Sequence, residues 1–195
     1  MFANIYINRD IKLKIIRSIV NSSTFCKESK ELRSTMSIGL RQLFDEVSST
    51  YTYLLWDKES RASILIDPVD TKVDRDLQVV AEEGLTLLYG INTHAHADHI
   101  TGTGILKTKV KGLKSIISEA SKAKADIHVS PGDKIEFGSR HISVRATPGH
   151  TEGCVSYVTD DESMVFTGDA LLIQGRCFNG IVTWPLCSLF ILQSM

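Results

Sequence analysis

Paired cysteines are missing from this sequence. The four cysteines, Cys26, Cys154, Cys177 and Cys187, form no CxxC pair and no disulfide framework, so a reducing compartment is the default setting. Net charge is nearly absent too. A formal charge of −1 gives no polyanion signal and argues against a nucleic-acid surface. No internal repeat or low-complexity run is visible, which leaves neither a solenoid nor a long tether to consider. What remains is an ordinary globular composition, 43% hydrophobic and 23% charged over 195 residues, enough for one domain. Cys154 begins an apolar strand and reads as a buried structural thiol.

Histidine, by contrast, is concentrated. Three of the six histidines fall in the run Thr93-His94-Ala95-His96-Ala97-Asp98-His99. An apolar stretch of strand character, 85–92, leads into this run, and Ile100-Thr101-Gly102 can open a helix after it. Side chains at such a strand exit project from the sheet edge, where sites are commonly built. Neutral imidazoles and a carboxylate are a metal-ligand set. Two further strand exits each add a candidate. His150 follows Ala146-Thr147-Pro148-Gly149, and Asp169 follows Val165-Phe166-Thr167-Gly168. Alone each would read as a turn residue; three such exits together read as a metal site. His128 and His141 have no motif around them, and we assign them no chemistry.

The rest of the chain predicts a mixed α/β layer. Strands are expected at 50–57 and 62–67, joined by a polar turn at 58–61. A helix at 74–83 carries Leu77, Val80 and Ala81 on one face and ends at Gly84. A short strand at 115–118 precedes a small polar helix at 119–124 and an apolar piece at 127–129. Two hairpins are expected, 134–137 with 141–145 and 155–159 with 164–167. Residues 1–37 differ from the domain. They are basic and Ser-rich, with Ile11, Ile15, Ile16 and Ile19 able to share a helix face, the profile of a mitochondrial presequence. The alternative is a disordered leader.

These motifs resemble the metallo-β-lactamase superfamily. Within it, Thr93 to Gly102 resembles the signature of the persulfide dioxygenases, as do Arg41-Gln42-Leu43-Phe44, Tyr53-Leu54-Leu55, Ile66-Asp67-Pro68-Val69, Ala146 to Thr151 and Phe166 to Ile173. The resemblance implies an αββα sandwich, with a leader at 1–37 and the domain at 38–175. It implies one Fe²⁺ on His94, His150 and Asp169, and oxidation of glutathione persulfide by O₂ to sulfite and glutathione in the mitochondrial matrix. Fe²⁺ on two neutral imidazoles and one carboxylate keeps one positive charge, which a persulfide anion neutralises. His96, Asp98 and His99 would orient those ligands or relay protons; in hydrolase relatives they bind metal themselves. The sequence leaves both roles open.

The pattern stops after Gly175. The family continues with an arginine-bearing glycine loop, helices and a strand with one more histidine, but residues 176–195 form an apolar tail without amphipathic period. The sandwich is therefore expected to be incomplete at its C-terminus, less stable and less active than its resemblance implies. The tail is expected to derive from an alternative transcript segment and is marginal in length for a membrane span. Two other readings stand beside the dioxygenase. One is a glyoxalase II-like thioester hydrolase using Zn²⁺, with a cytoplasmic location as the alternative to the mitochondrion. The other is a catalytically silent truncated isoform.

Overall fold

The computed structural model describes the backbone of Ile5–Ile7 and, in full, residues 38–95 and 101–171. The leader apart from residues 5–7, the tail from residue 172 onward, and His96, Asp98 and His99 lie outside the described residues.

Two sheets face each other. The first runs β2 (Ile38–Asp45), β3 (Thr50–Asp57), β4 (Ala62–Ile66), β5 (Thr86–Ile91), β6 (Lys114–Ser118) and β7 (Ile127–Val129) in spatial order. Its first three strands form an antiparallel meander, and β4 through β7 are parallel. The change of direction follows from connection length. The turn at 58–61 returns the chain at once, whereas α1 (Val73–Glu82) and α2 (Thr103–Lys109) provide the crossovers that parallel neighbours need. The second sheet is antiparallel and runs β1 (Ile5–Ile7), β11 (Met164–Phe166), β10 (Val155–Thr159), β9 (Arg140–Ala146) and β8 (Lys134–Phe137). β1, from within the segment read as a leader, borders β11 with Ile5 opposite Phe166.

Alternation along the strands assigns the layers. Tyr53 and Leu55 of β3, with Ile64 and Ile66 of β4, point between the sheets. There they meet Phe137, Ile142, Val144, Tyr157 and Phe166 of the second sheet. Leu54, Trp56 and Leu65 point the other way, onto Val73 and Val80 of α1 and Leu106 of α2. A strand buried on both faces reads as a continuous apolar run, as Tyr53-Leu54-Leu55-Trp56 does. Among the described residues both helices belong to this outer layer. Neither is long and apolar enough to cross a membrane.

The expected elements lie within a residue or two of the observed ones, with one correction. The helix expected at 119–124 is a single 3-10 turn, Glu119–Ser121, after which Lys122 is left-handed at φ 57°. Ser121 Oγ donates to the Ser118 carbonyl at 2.6 Å and accepts the Ala123 N–H at 3.2 Å. These local bonds replace the helical ones, and a six-residue segment has too few turns to resist them. By contrast α1 stops where expected. Gly84, at φ 60°, donates to the Ala81 carbonyl, and Leu85 donates to the Val80 carbonyl, a paired C-terminal closure that favours glycine.

Asp57 ties the two sheets together at one end. It is 1% exposed. It accepts Glu59 N–H and Ser60 Oγ–H from its own turn, and Ser139 N–H and Oγ–H from the β8–β9 turn, at 2.7–3.1 Å. Burial alone would raise its pKa; the bonds from Ser139, Ser60 and Glu59 more than reverse this and hold the carboxyl well below the usual range. Asp45 behaves alike: burial raises it, while Ser48 and Lys72 bring it down to about 2. Carboxyls depressed in the folded state stabilise it above their unfolded pKa, near 4, and lose that contribution as pH falls through the folded values. The thermal midpoint is therefore expected to fall steeply below pH 4. Asp57→Ala strands four donors and should cost roughly 2–4 kcal/mol at neutral pH. A denaturant series reads this directly, and a variant within about 0.5 kcal/mol of the parent, the range of ordinary surface substitutions, would contradict the tie.

Candidate metal centre

Each candidate ligand sits just beyond a strand, so the sheets set its position. β5 ends at Ile91, and His94 follows three residues later. His150 lies in the connection between β9 and β10, and Asp169 in the 3-10 turn Gly168–Ala170 that follows β11. The three come together at one end of the sandwich, drawing on both sheets. One donor atom from each lies within 4.8 Å of the others. Asp169 Oδ2 is 4.0 Å from His94 Nε2 and 3.6 Å from His150 Nε2. The two imidazoles meet edge to face, with centroids 4.9 Å apart and planes at 87°. His128 and His141 lie elsewhere. His128 Nε2 is 2.9 Å from the Ala123 carbonyl on the surface, and His141 Nδ1 is 3.9 Å from Asp160.

The donor set suits a transition metal. Among the described residues, two imidazole nitrogens and one carboxylate oxygen converge, donors that divalent transition metals accept. Metal–ligand bonds of about 2.0–2.2 Å place two donors at most about 4.4 Å apart, so the three donor atoms, which lie within 4.8 Å of one another, would draw together slightly around a bound ion. Exposure gives the site a direction. The His94 side chain is 1% exposed, against 29% for His150 and 20% for Asp169. His94 lies in the interior, and His150 and Asp169 lie nearer the surface.

A network under the site holds the strand exits together. Asp67, just past β4, is left-handed at φ 50° although Pro68 follows it, a conformation unfavourable for a non-glycine residue and especially before proline. It accepts Thr93 N–H at 2.7 Å and Thr93 Oγ–H at 2.9 Å. Thr52 donates to the Asp67 carbonyl. The Thr93 carbonyl accepts Val155 N–H from β10 at 2.9 Å. Tyr157, fully buried on β10, donates its hydroxyl to the Asn92 carbonyl at 2.8 Å. Desolvation there pushes its phenol far above the usual range. The Asn92 side chain joins Thr101 and Thr103, tying together the residues on either side of the histidine run. Sequence reasoning singled out none of Asp67, Thr93, Asn92 or Tyr157 as part of the site. In sequence Asp67 ends the strand expected at 62–67, and Tyr157 lies unremarked within the strand expected at 155–159. A signal was present, however, in the buried-strand exits Ile66-Asp67-Pro68 and Ile91-Asn92-Thr93, where polar residues end apolar strands and Asn92-Thr93 directly precede His94.

Cys154 is close to the site without being part of a nucleophile. Its Sγ lies 3.2 Å from Thr151 N and 3.1 Å from Thr151 Oγ1. Burial pushes the thiol up, and only partly do the Thr151 bonds offset this. At neutral pH it stays protonated, and protonated buried thiols react slowly. Iodoacetamide applied to the folded chain should leave the Cys154 peptide unmodified in mass spectra and label it fully after denaturation. Labelling at equal rates in both states would contradict this assignment.

Comparison with known proteins agrees with this architecture. The family model described as Metallo-beta-lactamase superfamily matches residues 45–181. The mitochondrial persulfide dioxygenase ETHE1 of Homo sapiens is 57% identical over 138 residues, covering 71% of this chain and 54% of that protein. The hydroxyacylglutathione hydrolase of Brucella ovis is 40% identical over 139 residues, covering 68% and 52%. The crystal structure of ETHE1 from Myxococcus xanthus superposes with a TM-score of 0.66 at 47% identity, over 71% of this chain and 60% of that one. The chain thus spans little more than half the length of the curated relatives it matches. The two-sheet sandwich and the family match over most of its length agree: the chain belongs to the metallo-β-lactamase superfamily.

Proposed function

We propose that the chain carries a mononuclear iron centre on His94, His150 and Asp169 and oxidises glutathione persulfide with O₂, giving sulfite and glutathione. The observation that carries the reading is the convergence of His94 Nε2, His150 Nε2 and Asp169 Oδ2 at one sandwich end. Two histidines and one carboxylate with open positions are the donor set of non-haem iron oxygenases. The relatives support the choice within the superfamily. Identity is 57% to a persulfide dioxygenase and 40% to a hydroxyacylglutathione hydrolase. The reaction balances with one water: persulfide, O₂ and H₂O give thiol and sulfurous acid, which ionises to sulfite.

When bound, Fe²⁺ supplies the redox chemistry that links the outer persulfide sulfur to O₂. The protein's own part is positional. Asp169 and one neutral charge state for each histidine leave the site with net positive potential once the ion is held, which favours an anionic persulfide. The partial exposure of His150 and Asp169 admits the substrate from the side opposite His94. His96, Asp98 and His99 follow His94 closely in sequence, and we assign them to orienting the ligands or relaying protons.

The domain is taken as residues 38–175, with a leader at 1–37 and a tail at 176–195. The leader directs the chain to mitochondria in this reading. Its basic, Ser-rich composition and the mitochondrial human relative support this. Cleavage of the leader would release β1 from the β11 edge.

The test uses the purified chain loaded anaerobically with Fe²⁺. Oxygen uptake and sulfite release, both dependent on glutathione persulfide, are expected. Hydrolysis of S-lactoylglutathione in the Zn²⁺-loaded chain, without persulfide-dependent oxygen uptake, would favour the thioester hydrolase instead. Turnover of neither substrate would contradict both enzymatic readings and favour a catalytically silent chain.

A further inference from the structure

The hydroxyl of Thr93 lies between two groups with different needs. It is 2.9 Å from Asp67 Oδ2 and 2.9 Å from His94 Nδ1. Thr93 is 1% exposed and His94 likewise, so the contacts form away from bulk water. A hydroxyl has one proton to give. An ionised carboxylate can only accept, and Asp67 Oδ2 takes that proton. Toward His94 the hydroxyl oxygen is then limited to accepting, which requires a proton on Nδ1. A neutral imidazole carries only one, so Nε2 is left with its lone pair. Nε2 is the atom 4.0 Å from Asp169 Oδ2.

Resting on the metal-centre reading above, we propose that Thr93 is a positioning residue: its hydroxyl, polarised by Asp67, holds His94 as the Nδ1-protonated tautomer and presents Nε2 to the metal. Metal-bound histidines usually pass their second N–H to a carboxylate, carbonyl or water, and that partner sets ring orientation and basicity. Here the carboxylate acts through an intervening hydroxyl. The surrounding backbone is built to keep this arrangement. Asp67 accepts Thr93 N–H through its other oxygen while held at φ 50° before Pro68, so both Asp67 oxygens bind the same residue. Strained backbone persists when its surroundings over-determine it. The Thr93 carbonyl is fixed by Val155 N–H. On its other side Thr93 abuts Gly168, the residue before Asp169, where an added Cβ would overlap the Thr93 hydroxyl. Thr93 therefore contacts the exits of β4, β5 and β11 and the start of β10.

Two substitutions separate this role from simple packing. Thr93→Val keeps the shape and removes the hydroxyl. Asp67→Asn keeps the shape and reverses the polarity. With its amide oxygen on Thr93 N–H, Asn presents NH₂ to the Thr93 hydroxyl, which must then donate to His94 Nδ1 and move the imidazole proton to Nε2. Thr93→Ser restores the hydroxyl.

The experiment records long-range ¹H–¹⁵N correlation spectra of the ¹⁵N-labelled, metal-free chain at pH about 8, above the ordinary histidine range. The His94 ring is assigned by its loss in His94→Gln. Affinity for Co²⁺, followed by its visible absorption, is measured in parallel. The parent and Thr93→Ser should show Nδ1-protonated His94. Asp67→Asn should show the Nε2-protonated form, and Thr93→Val a mixture. Co²⁺ affinity should fall about 10–100-fold in Thr93→Val and Asp67→Asn and stay within about threefold of the parent in Thr93→Ser. An Nε2-protonated His94 in the parent overturns the proposal, whether or not any variant folds. So does an unchanged tautomer in Asp67→Asn. A parent chain with the expected tautomer that binds no Co²⁺ overturns the metal-centre reading while upholding the role of Thr93 in setting the His94 proton.

Discussion

Replacing His94 with alanine should abolish the thermal stabilisation that metal gives the parent chain. An ion that binds the folded state at one thousand times its dissociation constant adds about 4 kcal/mol. At roughly 2–4 °C per kcal/mol for a chain of this size, the parent's midpoint should rise by about 8–16 °C. In the proposed centre His94 is one of three donors, and it is the one in the interior, 1% exposed. Changes merely behind a ligand cost about 10–100-fold in metal affinity, so loss of the ligand itself should exceed that range. His94→Ala should show almost no metal-induced shift and no persulfide-dependent oxygen uptake. His128→Ala is the control. Its ring meets the Ala123 carbonyl on the surface, and it should keep both the full shift and the activity. Equal shifts in the two variants would remove His94 from the centre. Differential scanning fluorimetry with and without Fe²⁺ under argon reads the result.

A second large effect is expected from a single methyl group. Gly168 has φ 50°, and a Cβ there would overlap Thr93 Oγ1 and lie 2.8 Å from Thr93 Cβ. Alanine in the left-handed region costs about 1–2 kcal/mol, and forcing extra volume into a packed site costs roughly 1–3 kcal/mol more. Gly168→Ala should therefore lose about 2–5 kcal/mol. Because the displaced group is Thr93 and the displacing backbone leads into Asp169, metal affinity should fall as well. Gly104 predicts the opposite sign. It lies inside α2, with nothing within 4 Å of an added Cβ. Gly104→Ala should stabilise the chain by about 0.5–1 kcal/mol through helix propensity and leave metal binding unchanged. Chemical denaturation of both variants checks the pair. A Gly168→Ala chain as stable as the parent would show that the close approach to Thr93 is not maintained in solution.

The contrast between these glycines also shows what a sequence discloses. Gly84 was legible as a helix stop, because a periodic apolar face ends just before it. Gly168 was legible only as part of a turn ahead of Asp169. Its real constraint comes from Thr93, 75 positions earlier in the chain, and no local pattern encodes that approach. The convergence of the three candidate residues was readable because each member follows an apolar strand, and strands of a sandwich deliver their ends to a common rim. Asp67 and Thr93 escaped notice as a unit because each looked locally ordinary, one a strand stop and the other a β-branched residue before a histidine. Their partnership is a tertiary contact between adjacent strand exits of one sheet. The expected helix at 119–124 failed for a local reason. Its polar residues suit a helix, but Ser121 bonds to its own neighbours instead.

The proposed centre is one metal ion held by His94, His150 and Asp169, and X-ray absorption at the iron edge of the Fe²⁺-loaded parent chain tests that most directly. The predicted spectrum has a first shell of nitrogen and oxygen, multiple scattering from two imidazoles, one iron per chain and no metal neighbour. His94→Ala and His150→Ala, where they retain iron at all, should each lose one imidazole. A second metal scatterer close to the first would contradict the mononuclear centre, and a parent spectrum without two imidazoles would contradict the ligand assignment itself.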